Sequence, residues 1–229
     1  VWMTVVVKRG SKLYMQTYHR GKPDADVAPT TAAELKKKGI TIDRLLEHQS
    51  GTATTFFPDD EIFKEGIITE FSAIKKSIKE RAYLIPKIFF HLADTRSNEF
   101  YDYYFEGGIV SLVKSLNKNK VMLHDPIYIR RAEGEIEVEV AIVYNDGFAE
   151  TVDSFVNVTN THEGGSHLTG FRIALTRAIT DYAKKSSVAK EVADSITGED
   201  TREGLSAIVY VKMPSQDLQF EGQTKAKLG

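Results

Sequence analysis

The segment Leu205-Ser206-Ala207-Ile208-Val209-Tyr210-Val211-Lys212-Met213 constrains this chain more than any other. It is almost continuously apolar and is bounded by Gly204 and Pro214. A strand with one wet face alternates apolar and polar residues. A short apolar run without alternation is a strand covered on both faces. The chain must therefore build a sheet with a layer on each side, and this run is predicted to be its central strand.

Material for the layers is present. Residues 168–185 carry Leu168, Phe171, Leu175, Ala178 and Tyr182 at helical spacing, with Arg172, Lys184 and Lys185 off that face. Ile109, Leu112, Val113 and Leu116 predict a shorter amphipathic helix that ends at Asn117-Lys118-Asn119-Lys120. Ile136–Tyr144 reads as a strand whose first half alternates with Glu135, Glu137 and Glu139. Asn145-Asp146-Gly147 is expected to turn it into a hairpin whose second strand is Phe148–Val156.

The first half of the chain is read in the same way. Residues 1–20 predict a hairpin around Arg9-Gly10-Ser11-Lys12, and residues 24–50 a polar loop with room for one short helix. Gly51–Phe57 is β-rich and stopped by Pro58. Phe71, Ile74, Ile78 and Ala82 predict a helix over 69–85, closed by Pro86. Ile88-Phe89-Phe90 reads as a buried strand, and Tyr101–Phe105 as another, stopped by Gly107-Gly108. Strands and helices interleave, yet several strands are linked as hairpins, so the expected class is α+β rather than doubly wound. Patterning shifts at Gly107-Gly108, which predicts units of 1–107 and 108–229.

Composition removes several functions. With no cysteine there is no disulfide, thiolate nucleophile or Cys-based zinc site. A net charge of -2 gives no global electrostatic case for DNA, so any such case rests on a local patch. No stretch approaches the roughly 20 apolar residues needed to span a bilayer. The apolar start lacks a basic flank and a cleavage site, so it is no signal peptide. A strand met in mid-run without an initiator Met is expected of a fragment.

Four constellations carry possible chemistry. His162 and His167 stand five apart with Gly164-Gly165 between them, whereas the helical zinc-protease pattern needs four. A tight loop entering a helix at close quarters is the better reading, and no metal site is expected. Gly107-Gly108 before a helix is capable of binding an anion, but a domain junction fits better. Arg172, Arg177, Lys184 and Lys185 either face a DNA backbone or form a solvated helix face with cations near its C-terminus. The segment Phe220–Lys227 is polar, and a lysine beside amide and hydroxyl groups can clamp a terminal phosphate.

Three stretches together carry a resemblance. Asn160-Thr161-His162-Glu163-Gly164-Gly165-Ser166-His167-Leu168-Thr169-Gly170-Phe171-Arg172 is similar to a loop-to-helix motif, Gly198-Glu199-Asp200-Thr201-Arg202-Glu203-Gly204-Leu205 to a turn, and Gln219–Gly229 to a Gln-Thr-Lys loop. All three are motifs of the ATP-driven B subunits of bacterial-type type II DNA topoisomerases, in this order and at similar spacing. Ser50-Gly51-Thr52 resembles that family's Thr-Gly-Thr strand, with Ser50 in place of the usual Thr. Arg9–Pro23 and Tyr104–Ile109 resemble further parts, so the likeness covers nearly the whole chain. Segment 24–50 is longer than the family pattern.

The resemblance implies the C-terminal strands and helix of a GHKL-type ATPase domain (1–107), followed by a transducer domain with a ribosomal-protein-like β-α-β fold (108–229). It implies that Gln223 and Lys225 contact the γ-phosphate of ATP, with Lys225 catalytic through transition-state charge. It implies that Thr52 lies near the adenine and that Arg172 and Arg177 face DNA. ATP and Mg2+ would be held mainly by residues upstream of this chain. Expected partners are an A subunit in an A2B2 assembly, double-stranded DNA and a second B subunit in an ATP-dependent dimer; the expected location is cytoplasmic. Between the gyrase and topoisomerase IV branches the Thr161–His167 wording leans to gyrase. A chaperone-type or mismatch-repair GHKL ATPase, and a non-enzymatic partner-binding module, are the alternative classes.

Overall fold

The computed structural model describes residues 2–64, 69–186 and 191–229. Val1, where the expected first strand opens, lies outside them. The chain forms two compact units, Val1–Glu70 and Phe71–Gly229.

In the first unit, β1 (Trp2–Arg9) and β2 (Lys12–His19) form the expected antiparallel hairpin. Two short strands, β3 (Lys22–Pro23) and β4 (Ala28–Thr30), pair with β2. The loop expected over 24–50 instead holds two helices, α1 (Ala32–Lys37) and α2 (Asp43–Leu46). A capping box starts α1: Thr31 Oγ1 accepts from the Glu34 N–H, and Glu34 Oε2 accepts from the Thr31 N–H. Those bonds, with the Thr30 hydroxyl, hold the Glu34 carboxyl below its usual range. Lys36 and Lys37 fall in the last turn, where cations suit the helix dipole. Leu35, Ile40, Ile42 and Leu45 bury against Val6 and Leu13. Their spacing is irregular because two helices and a connection share the task, which is why no period shows in the sequence. β5 (Ser50–Phe57) pairs antiparallel with the other edge of β1.

The second unit opens with α3 (Phe71–Leu84), the hairpin of β6 (Phe90–Asp94) and β7 (Glu99–Tyr103), and α4 (Gly108–Leu116). Only the end of α3, Ala82-Tyr83-Leu84, is buried, while Ile74 is exposed. The buried strand expected at Ile88-Phe89-Phe90 is not there. Ile88 and Phe89 are exposed, the strand begins at Phe90, and the Phe89 ring stacks on Tyr104.

A five-stranded mixed sheet follows. Its strands are β8 (Ile127–Glu133), β9 (Ile136–Tyr144), β10 (Thr151–Val156), β11 (Thr159–Asn160) and, after the two-residue β12 (Gly164–Gly165) and the long helix α5 (Ser166–Lys185), β13 (Leu205–Lys212). The order across the sheet is β11-β10-β13-β9-β8. β13 is central, as its composition demands. Ile208 and Tyr210 pack toward Tyr83, Ile109, Leu112 and Val113 on one face, while Leu205 and Ala207 pack toward Phe171 and Leu175 of α5 on the other.

The expected β9–β10 hairpin is absent. β13 lies between them, antiparallel to β9 and parallel to β10, with α5 in the β10–β13 connection. Asn145 does not close a hairpin. Its side chain is buried on Asn117 and Ser206, and its N–H donates to the Gly204 carbonyl. β8 escaped the sequence reading because every residue of this edge strand is exposed, leaving no alternation to see. The glutamates of β9 find partners: Lys212 Nζ reaches Glu137 at 2.7 Å and Glu139 at 2.5 Å. The Lys212 and Arg130 cations pull the Glu137 carboxyl down to about 2. Tyr182, expected on the apolar face of α5, is exposed; Ala183 is the buried residue there.

Candidate functional site

Residues 219–229 fold back onto the loop that feeds α5. β14 (Lys227–Leu228) runs parallel to β12, placing Gly164 opposite Lys227 and Gly165 opposite Leu228. The Glu163 N–H donates to the Ala226 carbonyl at 3.0 Å, and the Ser166 hydroxyl to the Gly229 carbonyl at 2.9 Å. Ala226 and Leu228 are buried. The segment also closes on itself. Glu221 N–H donates to Lys227 O, Gly229 N–H to Gln219 O, and Lys227 Nζ lies 3.0 Å from Glu221 Oε2.

Above this clamped base stands an exposed tip of Gly222, Gln223, Thr224 and Lys225. Lys225 has φ 55° and its N–H donates back to Gly222 O. Its ammonium lies 5.9 Å from the Phe220 ring centre and makes no ion pair among the described residues. The tip thus offers an amide, a hydroxyl and an uncompensated cation together. That set matches a terminal phosphate, which accepts several hydrogen bonds and carries negative charge.

The base depends on a missing side chain. Gly165 sits at φ 142°, and a Cβ there would lie 2.8 Å from the Leu228 nitrogen and closer still to its carbonyl oxygen. Beneath it, the loop is braced by a chain of hydrogen bonds. His167 Nε2 is 3.0 Å from Thr161 Oγ1, which is 2.7 Å from Ser154 Oγ, which donates to the Thr161 carbonyl. The chain closes without conflict when Nε2 of a neutral imidazole carries the proton. His167 Nδ1 is then a buried lone pair with no partner among the described residues. Burial holds the His167 pKa below its usual value.

The expected DNA-facing arginines differ from one another. Arg172 Nε donates to Glu150 Oε1 at 2.8 Å, and Arg202 lies 3.4 Å from the other carboxylate oxygen. Arg177 is exposed and among the described residues pairs only with Asp181, 3.7 Å away along the same helix. The Gly198–Leu205 turn packs against α5 through Thr176 and Thr201, 3.0 Å apart, and Tyr144 donates to the Thr201 carbonyl. Gly204 allows the turn to close, since a Cβ would meet the carbonyl oxygens of Asn145 and Gly147 below 3 Å. In the first unit, Thr52 is exposed on β5 beside a cavity of about 530 Å³ lined by Ile42, Leu45, His48 and Gly51 among others. His162 is exposed, and no group of three or more His, Asp or Glu side chains suited to a metal occurs among the described residues.

Sequence reading reached the tip and both glycines. It missed Glu163, Ser166 and Glu221 as the clamp and Glu150 as the partner of Arg172. Ser166 and Glu150 act through partners far along the chain, which leave no local period, and Glu221 through Lys227 six residues on. The fourth, Glu163, acts through its backbone, so its side chain carries no trace of the role.

The architecture is that of the ATPase region of type II DNA topoisomerases. The solved gyrase B protein of Myxococcus xanthus superposes with a TM-score of 0.82 at 22% identity, over 100% of this chain and 61% of that one. The 43K ATPase domain of Thermus thermophilus gyrase B, solved with an aminocoumarin, gives 0.78 at 32% identity, over 99% of this chain and 57% of that one. The chain belongs to the DNA gyrase B family, whose model matches residues 108–229. The DNA gyrase B protein of Halalkalibacterium halodurans is 43% identical over 229 residues, 99% of this chain and 33% of that protein, so the chain spans about a third of that relative's length.

Proposed function

We propose that this chain is the part of a gyrase B protein that links an ATP-binding domain to DNA strand passage. Residues 108–229 act as the transducer and residues 1–107 as the end of the ATPase domain. Gln223 and Lys225 contact the γ-phosphate, and Lys225 stabilises the charge that develops as it is transferred. Thr52 lies near the adenine, while Arg172 and Arg177 face the DNA duplex. Of the two arginines, Arg177 is the freer for a phosphate, since Glu150 already occupies Arg172. ATP and its Mg2+ are held mainly by the rest of the full-length protein. That protein works in the cytoplasm with the A subunit in an A2B2 assembly on double-stranded DNA, and dimerises on binding ATP. Among the described residues no helix is long and apolar enough to cross a membrane.

One observation supports this reading above the rest: an exposed, uncompensated Lys225 held on a fixed base. Phosphoryl transfer depends chiefly on positioning and on charge placed where the transition state needs it. A tip that binds ATP and loses its partner after hydrolysis has different affinity for two states, which a conformational change requires.

The test is ATP turnover, with and without linear DNA, by the natural-length gene product together with its A subunit. Lys225→Ala is expected to lower kcat about 10²–10³-fold, the scale seen when one preorganised charge-stabilising donor is lost. Turnover that survives the substitution would reduce residues 219–229 to a connecting loop.

A further inference from the structure

Among the described residues the tip has one internal backbone hydrogen bond, Lys225 N–H to Gly222 O. Among the described residues its hydrogen-bonded links to the rest of the fold run through the base, which is seated on Gly164-Gly165. We propose that Gly165 is a positioning residue for the ATPase reaction: by lacking a Cβ it lets the Leu228 backbone dock, and so sets where the Lys225 ammonium stands. This rests on the reading of Lys225 given above.

Three observations carry it. The Leu228 backbone occupies the place of a Gly165 side chain, with its nitrogen 2.8 Å from the Cβ position, so any other residue must push the strand away. The contacts on either side of that point, Glu163 N–H to Ala226 O and Ser166 Oγ–H to Gly229 O, share the same register and cannot stay formed if it moves. Lys225 is the residue next to Ala226, so a shift of the base passes to it directly. Gly165 also caps α5, whose first residue is Ser166. The base therefore joins the phosphate-facing tip to the helix that carries Arg172 and Arg177 through one peptide junction. A ladder of two residues fixes the tip on that helix.

The experiment measures kcat and KM for ATP separately, in the natural-length gene product with its A subunit. Gly165→Ala is expected to lower kcat about 100-fold, the loss a displacement of about 1 Å can cause. KM should change less than about threefold, because nucleotide contacts made elsewhere are untouched. The double variant with Lys225→Ala is expected to be no slower than Lys225→Ala alone, as for residues acting through one group. Ser166→Ala should lower kcat about 2- to 10-fold, and Ser166→Thr, which keeps the hydroxyl, should restore it. These two variants decide the matter if Gly165→Ala does not fold.

Wild-type kcat in Gly165→Ala overturns the proposal, as do equal losses in Ser166→Ala and Ser166→Thr, or a double variant slower than both single ones. If Lys225→Ala itself turns over normally, the functional reading of the tip falls and takes this inference with it. If Lys225→Ala is slow and Gly165→Ala is not, the tip stands and only the positioning role is lost.

Discussion

Lys225 occupies the left-handed region at φ 55°, which costs a residue with a Cβ about 1–2 kcal/mol. Glycine would hold that turn more easily, so the backbone conformation alone does not call for a lysine there. His167 presents the opposite case: a polar side chain sunk where its Nδ1 finds nothing to bond. Because burial lowers its folded pKa beneath the ordinary value of 6.5, the unfolded loop takes up the proton first as pH falls. The stability it supports is therefore complete above pH 6.5 and declines as pH drops from there through the folded pKa. Amide exchange at Glu163, measured from about pH 7.5 to 5.5 and corrected for intrinsic rate, should show protection falling with pH. His167→Gln, which cannot titrate, should flatten that dependence; an unchanged slope would detach His167 from the loop.

At the level of elements, β13 holds the second unit together, with helices on both faces and a strand on each side. Ile208, fully buried between α4 and the sheet, should cost about 2–5 kcal/mol when cut to alanine, read from urea unfolding of the whole chain. A loss below about 1 kcal/mol would show that the site collapses around the gap. The centrality of this strand was legible because two-sided burial writes itself into composition. Its neighbours were not. Asn145-Asp146-Gly147 has the wording of a hairpin turn, but buried bonds from Asn145 to Asn117 and Ser206 reassign it to pinning the start of β13. Local chemistry cannot reveal that a strand arriving much later in the chain will slip between two others. The capping box at Thr31 and Glu34 was readable and marks where a helix starts in a segment expected to be a polar loop with room for one short helix. The tip was visible only by resemblance. Its composition is that of any polar surface, and the clamp beneath it is made largely of backbone groups, which every residue possesses.

Across the whole molecule, each of the two units carries its own buried core. If the tip meets a nucleotide in the natural-length protein, a non-hydrolysable ATP analogue should slow amide exchange in residues 221–225 and leave β13 unaffected. Equal exchange with and without the analogue would place the nucleotide elsewhere. The strand order also bears on how the molecule comes into being. β9 and β10 never touch as paired strands; each waits for β13. A ribosome adding roughly 5–20 residues per second needs several seconds to carry the chain from Val156 to Lys212. Throughout that interval β9 has β8 on one side and β10 has the two-residue β11, but the edge of each that β13 will fill stays open. The nascent chain is then exposed to mispairing, and slower decoding between α5 and β13 would lengthen the danger while leaving the finished protein unchanged.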